Sequence, residues 1–177
     1  MAEFPMAVPV WGTDNMVTCL RVIVEKLNTG KKEQIALVTI MKLKSGHPYR
    51  MKDGKRRIDV RIKRWGAKGY SPFLDSTIEY RLSKDVDKPI SYVESKSKEE
   101  DFPASMTFNA IFDVFVDGKK VISETEGTAR AERLMRIPPD EDDLFLVDKE
   151  VAFDNIKLTT IDCPTRFAIT RKHKCLI

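Results

Sequence analysis

The chain has 177 residues, of which 42% are apolar, enough for one domain with a real core and too many for wholesale disorder. Charged residues make up 33%, above the ~25% usual for globular domains, while the net charge is only +4, so the distribution of charge matters more than its sum. Three widely spaced cysteines, Cys19, Cys163 and Cys175, argue against a disulfide framework.

Residues 1–16 read as a flexible N-terminal arm ahead of a single β-rich domain over residues 17–177. Phe4, Pro5, Pro9 and Trp11 stand among apolar residues, and the proline spacing disfavours a helix. Two readings stay open for the arm. It is a frayed tail, or it docks on a neighbouring subunit with Phe4, Pro5, Pro9 and Trp11 as the self-association contacts.

Strands follow in close succession. Residues 17–27 are rich in Val, Leu and Ile. Residues 34–44 place Ile35, Leu37, Met41 and Leu43 on one face, and Asn28, Thr29 and Gly30 form the turn between the two segments. In residues 57–63, Ile58, Val60 and Ile62 alternate with Arg57, Asp59, Arg61 and Lys63. Residues 77–83 turn Ile78, Tyr80 and Leu82 inward, and residues 106–116 do the same with Met106, Phe108, Ala110, Phe112, Val114 and Val116. Asp117-Gly118 is the strongest hairpin signal in the chain, and it predicts a return strand from Lys119.

Residues 126–136 carry two patterns. Ala129, Ala131, Glu132, Leu134 and Met135 favour a helix ended by Pro138-Pro139, whereas the alternation around Thr128, Arg130 and Glu132 would suit a strand; the composition tips the reading to helix. Residues 144–147, 151–158 and 166–170 read as short strands. Residues 94–101 read as a mobile polar loop, and Asp140, Glu141, Asp142 and Asp143 as an exposed acidic knot. The fold class expected is α+β: mainly antiparallel β-sheet, one or two short helices and the flexible arm.

No leader or membrane span is expected. The longest nearly apolar run, residues 35–41, is far short of the ~18 residues a span requires. Cys175 stands third from the end rather than fourth, which argues against prenylation. The protein is expected inside the cell, meeting membranes at their surface.

The sequence offers no catalytic constellation. His47 sits in a Gly-His-Pro turn, and His173 in a basic tail; neither has metal-ligand spacing or a nucleophile motif beside it. A Cys/His pair assembled in space, such as Cys163 with His173, is the only enzymatic reading left. No phosphate-cradling glycine loop occurs, and the acidic knot lacks the spaced ligands of a calcium loop. The expectation is a protein without catalytic residues, metal, cofactor or small-molecule substrate. An acidic knot on a molecule with a basic side also suggests head-to-tail contact between copies.

That basic side lies in residues 42–68. Lys42, Lys44, Arg50, Lys52, Lys55, Arg56, Arg57, Arg61, Lys63, Arg64 and Lys68 face only Asp53 and Asp59, a local net charge of +9 that leaves the rest of the chain net acidic. On a strand face such residues form a patch for backbone phosphates or other anions. Trp65 and Tyr70 flank the stretch as candidates for stacking on bases or inserting at a membrane interface. The plainer reading is that the charges solubilise the outer face of a sheet and protect its edges.

With a Pro/aromatic arm over residues 2–12, a basic region over residues 42–68 and a compact β body, the chain resembles the matrix proteins of rhabdoviruses, most of all the short ones of plant rhabdoviruses. The resemblance is one of organisation, and the Pro-Pro-x-Tyr budding signal is absent, since Pro138-Pro139-Asp140 has no tyrosine. It implies a non-enzymatic structural protein of the virion and host cytoplasm that self-associates, condenses the nucleocapsid and links it to the envelope membrane. The basic region would touch anionic lipid, nucleocapsid protein or RNA. The alternative is an RNA-binding or movement-type protein acting on nucleic acid directly.

Overall fold

The structure, a computed structural model, describes residues 12–137, 139, 142–164 and 169–172. The strands are β1 (Gly12–Lys26), β2 (Lys31–Ser45), β3 (Tyr49–Arg50), β4 (Arg56–Ser71), β5 (Ser76–Leu82), β6 (Ser91–Ser95), β7 (Ala104–Val116), β8 (Lys119–Leu134), β9 (Leu144–Phe153), β10 (Ile156–Pro164) and β11 (Ile169–Lys172). All pairings are antiparallel, and the order β10-β9-β8-β7-β5-β4-β2-β1 closes because β1 pairs back onto β10. β5 and β6 share one position, each bridging β4 and β7, and β11 continues the line of β10 along β1. The result is an eight-position up-and-down barrel.

Alternation explains the closure. β2 reads buried at Ile35, Leu37, Thr39, Met41, Leu43 and Ser45 and exposed at every residue between them. Inward side chains from all eight positions fill one core, including Leu37, Ile58, Tyr80, Met106, Val114 and Leu158, while most of the described charged side chains point outward. That is the reverse of a lipid-embedded barrel, whose outer face carries the apolar band. Asp117 and Gly118 both have positive φ, 48° and 80°, so the two-residue turn predicted from Asp-Gly joins β7 to β8 with Val116 opposite Lys119.

The fold corrects the α+β expectation: among the described residues no helix is present, and the protein is all-β. Residues 126–134, read as helical, belong to β8. Ala129 and Ala131 face the barrel and Thr128, Arg130 and Glu132 face out, so the weaker of the two patterns wins. The reason is tertiary. β8 pairs with β7 from Val116–Lys119 to Ala104–Leu134, and helix propensity of a few tenths of a kcal/mol per residue cannot offset the loss of that ladder. Residues 151–158 are likewise two strands, divided by a turn at Asp154-Asn155. The polar segment 94–101 begins in β6 and ends on Asp101, which is buried.

The barrel has two unlike ends. The turn end holds residues 27–30, 72–75, 117–118 and 154–155. The loop end holds the excursion 46–55 with β3, the segment 96–103 and the connection from β8 to β9.

Candidate anion-docking wall

The eleven basic residues singled out in the sequence divide in the fold. Five lie in or beside the β3–β4 hairpin at the loop end, and four of these are occupied. Arg56 donates to the buried Asp101 at 3.0 Å. Arg57 lies 3.5 Å from Asp59 and stacks on Tyr92 at 3.6 Å. Lys55 sits between Asp53 and Glu94, and Arg50 donates to the Gly54 carbonyl at 2.7 Å. These side chains hold the hairpin against β6 and the segment after it. Lys52, exposed at the hairpin tip, makes no ion pair with a described residue.

The other six stand on the outer face of the barrel. Lys42 and Lys44 project from β2, and Arg61, Lys63, Arg64 and Lys68 from β4, all exposed. Register sets like charges opposite one another: Lys44 faces Arg61, and Lys42 faces Arg64. A bulge between Lys42 and Leu43 leaves Lys63 as an additional outward cation, because Leu43 pairs with Ile62 and Lys42 with Arg64. Cross-strand like-charge pairs are unfavourable, so folding alone does not select them.

None of these six forms an ion pair with a described residue, although Lys68 lies across from Glu79. Glu79 is engaged by Arg81, whose Nε and Nη2 each donate to it at 2.7 Å; the Arg81 guanidinium holds the Glu79 carboxyl below its ordinary value, with Lys68 adding to the effect.

Beside this row β2 exposes Val38 and Ile40, with half of each side chain in solvent, opposite Lys68 and Gly66 of β4. Gly66 has no side chain, so a groove of about 570 Å³ opens over these residues. Its rim adds Arg81 and, from the connection 83–90, Lys84 and Lys88. Those three cations lay outside the sequence reading. The signal for them is tertiary: β5 and its following loop fold beside β4, and Asp85 and Asp87 of the same loop do not line the groove.

One of the two expected aromatic contacts changes. Trp65 is not a surface anchor. It pairs with Met41 on the inward side, and its ring lies 5.5 Å from Phe112 and 6.4 Å from Tyr80. The bulge at Lys63 shifts the alternation by one residue and rotates Trp65 into the barrel. Tyr70 is exposed as expected, with its hydroxyl donating to Asp75.

Phe4, Pro5, Pro9 and Trp11, and with them His173, Asp140 and Glu141, lie outside the described residues.

The interior holds a cavity of about 70 Å³ among Met16, Phe108, Phe112 and Phe145, with Lys149 as its one charged lining residue. Cys163 also lines it. Burial pushes its thiol up to about 11, and the Sγ donates to Thr18 Oγ1 at 3.2 Å. A protonated, enclosed thiol is a poor nucleophile. No group of three or more metal-ligating side chains occurs among the described residues. Compared with known proteins, the chain matches no family model, no curated protein and no solved structure.

Proposed function

We propose that the protein is a non-enzymatic structural protein of matrix type, which self-associates, engages a nucleocapsid and docks on an anionic membrane surface through the outer face of β2 and β4. One observation carries this reading: Lys42, Lys44, Arg61, Lys63 and Arg64 stand together without ion-pair partners among the described residues, next to the exposed Val38 and Ile40 along the same two strands. Cations beside a shallow apolar strip suit lipid headgroups, where charge attraction and limited apolar insertion act together.

Nucleic acid is the second reading. The groove lined by Lys63, Arg64, Lys68, Lys84 and Lys88, with Glu79 of the same lining held by Arg81, would suit a phosphate backbone. Base stacking favours it less, because the inward turn of Trp65 leaves Tyr70 as the one aromatic of that pair on the surface.

Vesicle flotation tests the proposal. Vesicles of phosphatidylcholine with phosphatidylserine should carry the protein up the gradient, and phosphatidylcholine alone should not. The double variant Arg61→Glu, Arg64→Glu should lose flotation. Retained flotation of that variant, or tight salt-dependent binding to single-stranded RNA with none to vesicles, would overturn the membrane reading.

A further inference from the structure

The wall between β2 and β4 has a counterpart. In the closed order, four strand positions separate the β2/β4 seam from the β8/β9 seam in either direction, so the two seams lie on opposite sides of the barrel. The β8/β9 wall carries the opposite charge. Glu124 and Glu126 of β8 and Asp148 and Glu150 of β9 are exposed, and the first three make no ion pair with a described residue. Glu150 shares Lys157 at 3.7 Å. The same wall exposes Leu144 and Leu146, 43% and 60% accessible. Arg130 of this wall is already bound to Glu132.

The two walls also match in their order along the barrel axis. On β2 and β4 the cations Lys42, Lys44, Arg61 and Arg64 lie towards the loop end, and Val38 and Ile40 lie nearer the middle. On β8 and β9 the acids lie towards the turn end, and Leu144 and Leu146 towards the loop end. Stacked with parallel axes, the cations would meet leucines. Turned by half a revolution about the line through both walls, a second copy sets its acids over the cations and its leucines over Val38 and Ile40.

From this we infer that the β2/β4 wall receives the β8/β9 wall of a second copy of this chain, head to tail, with successive barrels turned by about 180°. The contact uses two different surfaces on opposite sides, so it does not close on itself and builds an open chain with a two-copy repeat. The inference rests on the reading of the β2/β4 wall as an anion-docking face and names a protein occupant for it. Lipid and neighbour then compete for one surface, so anionic vesicles shorten the chains.

Sedimentation velocity on the full chain tests this at about 50 mM and about 500 mM NaCl, since screening acts on exposed pairs. The parent protein should form concentration-dependent species larger than a monomer, and these should recede at high salt. The variant Glu126→Lys, Asp148→Lys should self-associate at least about tenfold more weakly yet still float with anionic vesicles. The variant Arg61→Glu, Arg64→Glu should lose both properties, and an equimolar mixture of the two variants should associate again. In the parent, carbodiimide cross-linking should join Lys42 or Lys44 of one copy to Glu124, Glu126, Asp148 or Glu150 of another. A parent that is monomeric throughout, an acidic-wall variant that associates like the parent, or a mixture that stays monomeric would overturn the inference. Each of these leaves the membrane reading standing if flotation persists, whereas loss of flotation by the parent strikes the membrane reading alone.

Discussion

Lys44 and Arg61 face each other directly across β2 and β4 on the outside of the barrel, and no described carboxylate pairs with either. Two cations in that arrangement repel, so replacing one by an acid turns an unfavourable cross-strand pair into a favourable one. Arg61→Glu should leave the fold as stable as the parent or raise its stability by roughly 0.2–1 kcal/mol, while weakening vesicle binding. Urea denaturation and flotation on the same sample check the two halves. A variant stable and fully competent to bind would mean that the charges serve solubility only.

Phe112 stacks on Tyr80 at 5.1 Å and lies 5.5 Å from Trp65, at the centre of the interior. Phe112→Ala should cost about 3–5 kcal/mol, the range for a large aromatic removed from a packed core. The same ring packs against the backbone of Gly127 on β8, where a Cβ would stand 2.8 Å from Phe112 Cε1. Gly127→Ala should therefore destabilise by about 1–3 kcal/mol through overpacking. Combined with Phe112→Leu, it should cost less than the sum of the two single changes, as denaturation midpoints of the four proteins would show.

Asp113 is a buried carboxylate in β7 that accepts from Lys120 at 2.7 Å, from Ser83 at 2.7 Å and from the Glu124 backbone N–H at 2.9 Å. Burial pushes its pKa up, but these three donors outweigh it and hold the carboxyl below its ordinary 3.8. A carboxylate with a depressed native pKa contributes stability that is fully present above the unfolded value and lost as pH falls through the folded one. Asp113→Asn should lower stability by about 2 kcal/mol at pH 7, with the gap to the parent closing as pH falls below about 4. Urea midpoints measured at pH 7, 5 and 3 test the sign.

Burial raises the Cys163 thiol to about 11. At pH 8 about one molecule in a thousand would then carry the reactive thiolate. Iodoacetamide at that pH should leave the Cys163 peptide unlabelled in the folded protein and label it quickly in urea, as read by peptide mass spectrometry. Rapid labelling of the native protein would reveal a reactive thiol and favour the enzymatic reading.

Much of the strand pattern is legible residue by residue. Ile35, Leu37, Met41 and Leu43 are buried, as are Ile58, Val60 and Ile62, because a half-buried strand must alternate. The Asp117-Gly118 turn is legible because few dipeptides accept two positive φ values. Residues 126–134 were not legible, since alanine, leucine and glutamate suit a helix in isolation and only the pairing with β7 decides otherwise. The inward turn of Trp65 depends on a one-residue bulge that no local pattern announces.

The charge distribution divides along the same line. By itself the sequence determined that a concentrated basic segment lies between Lys42 and Lys68, since that is a count of residues. It also determined which face of residues 57–63 is basic, because side chains alternate along a strand. Only the tertiary structure decided which of these cations are free. Arg56 meets Asp101 and Arg57 stacks on Tyr92, partners more than thirty residues away in the chain. Closure, too, was decided there: Arg21 opposite Asp162 joins the first long strand to β10, and that contact places a basic wall and an acidic wall back to back across one core. Long-range pairing depends on the whole set of strands being satisfied at once, which no segment of the sequence carries alone.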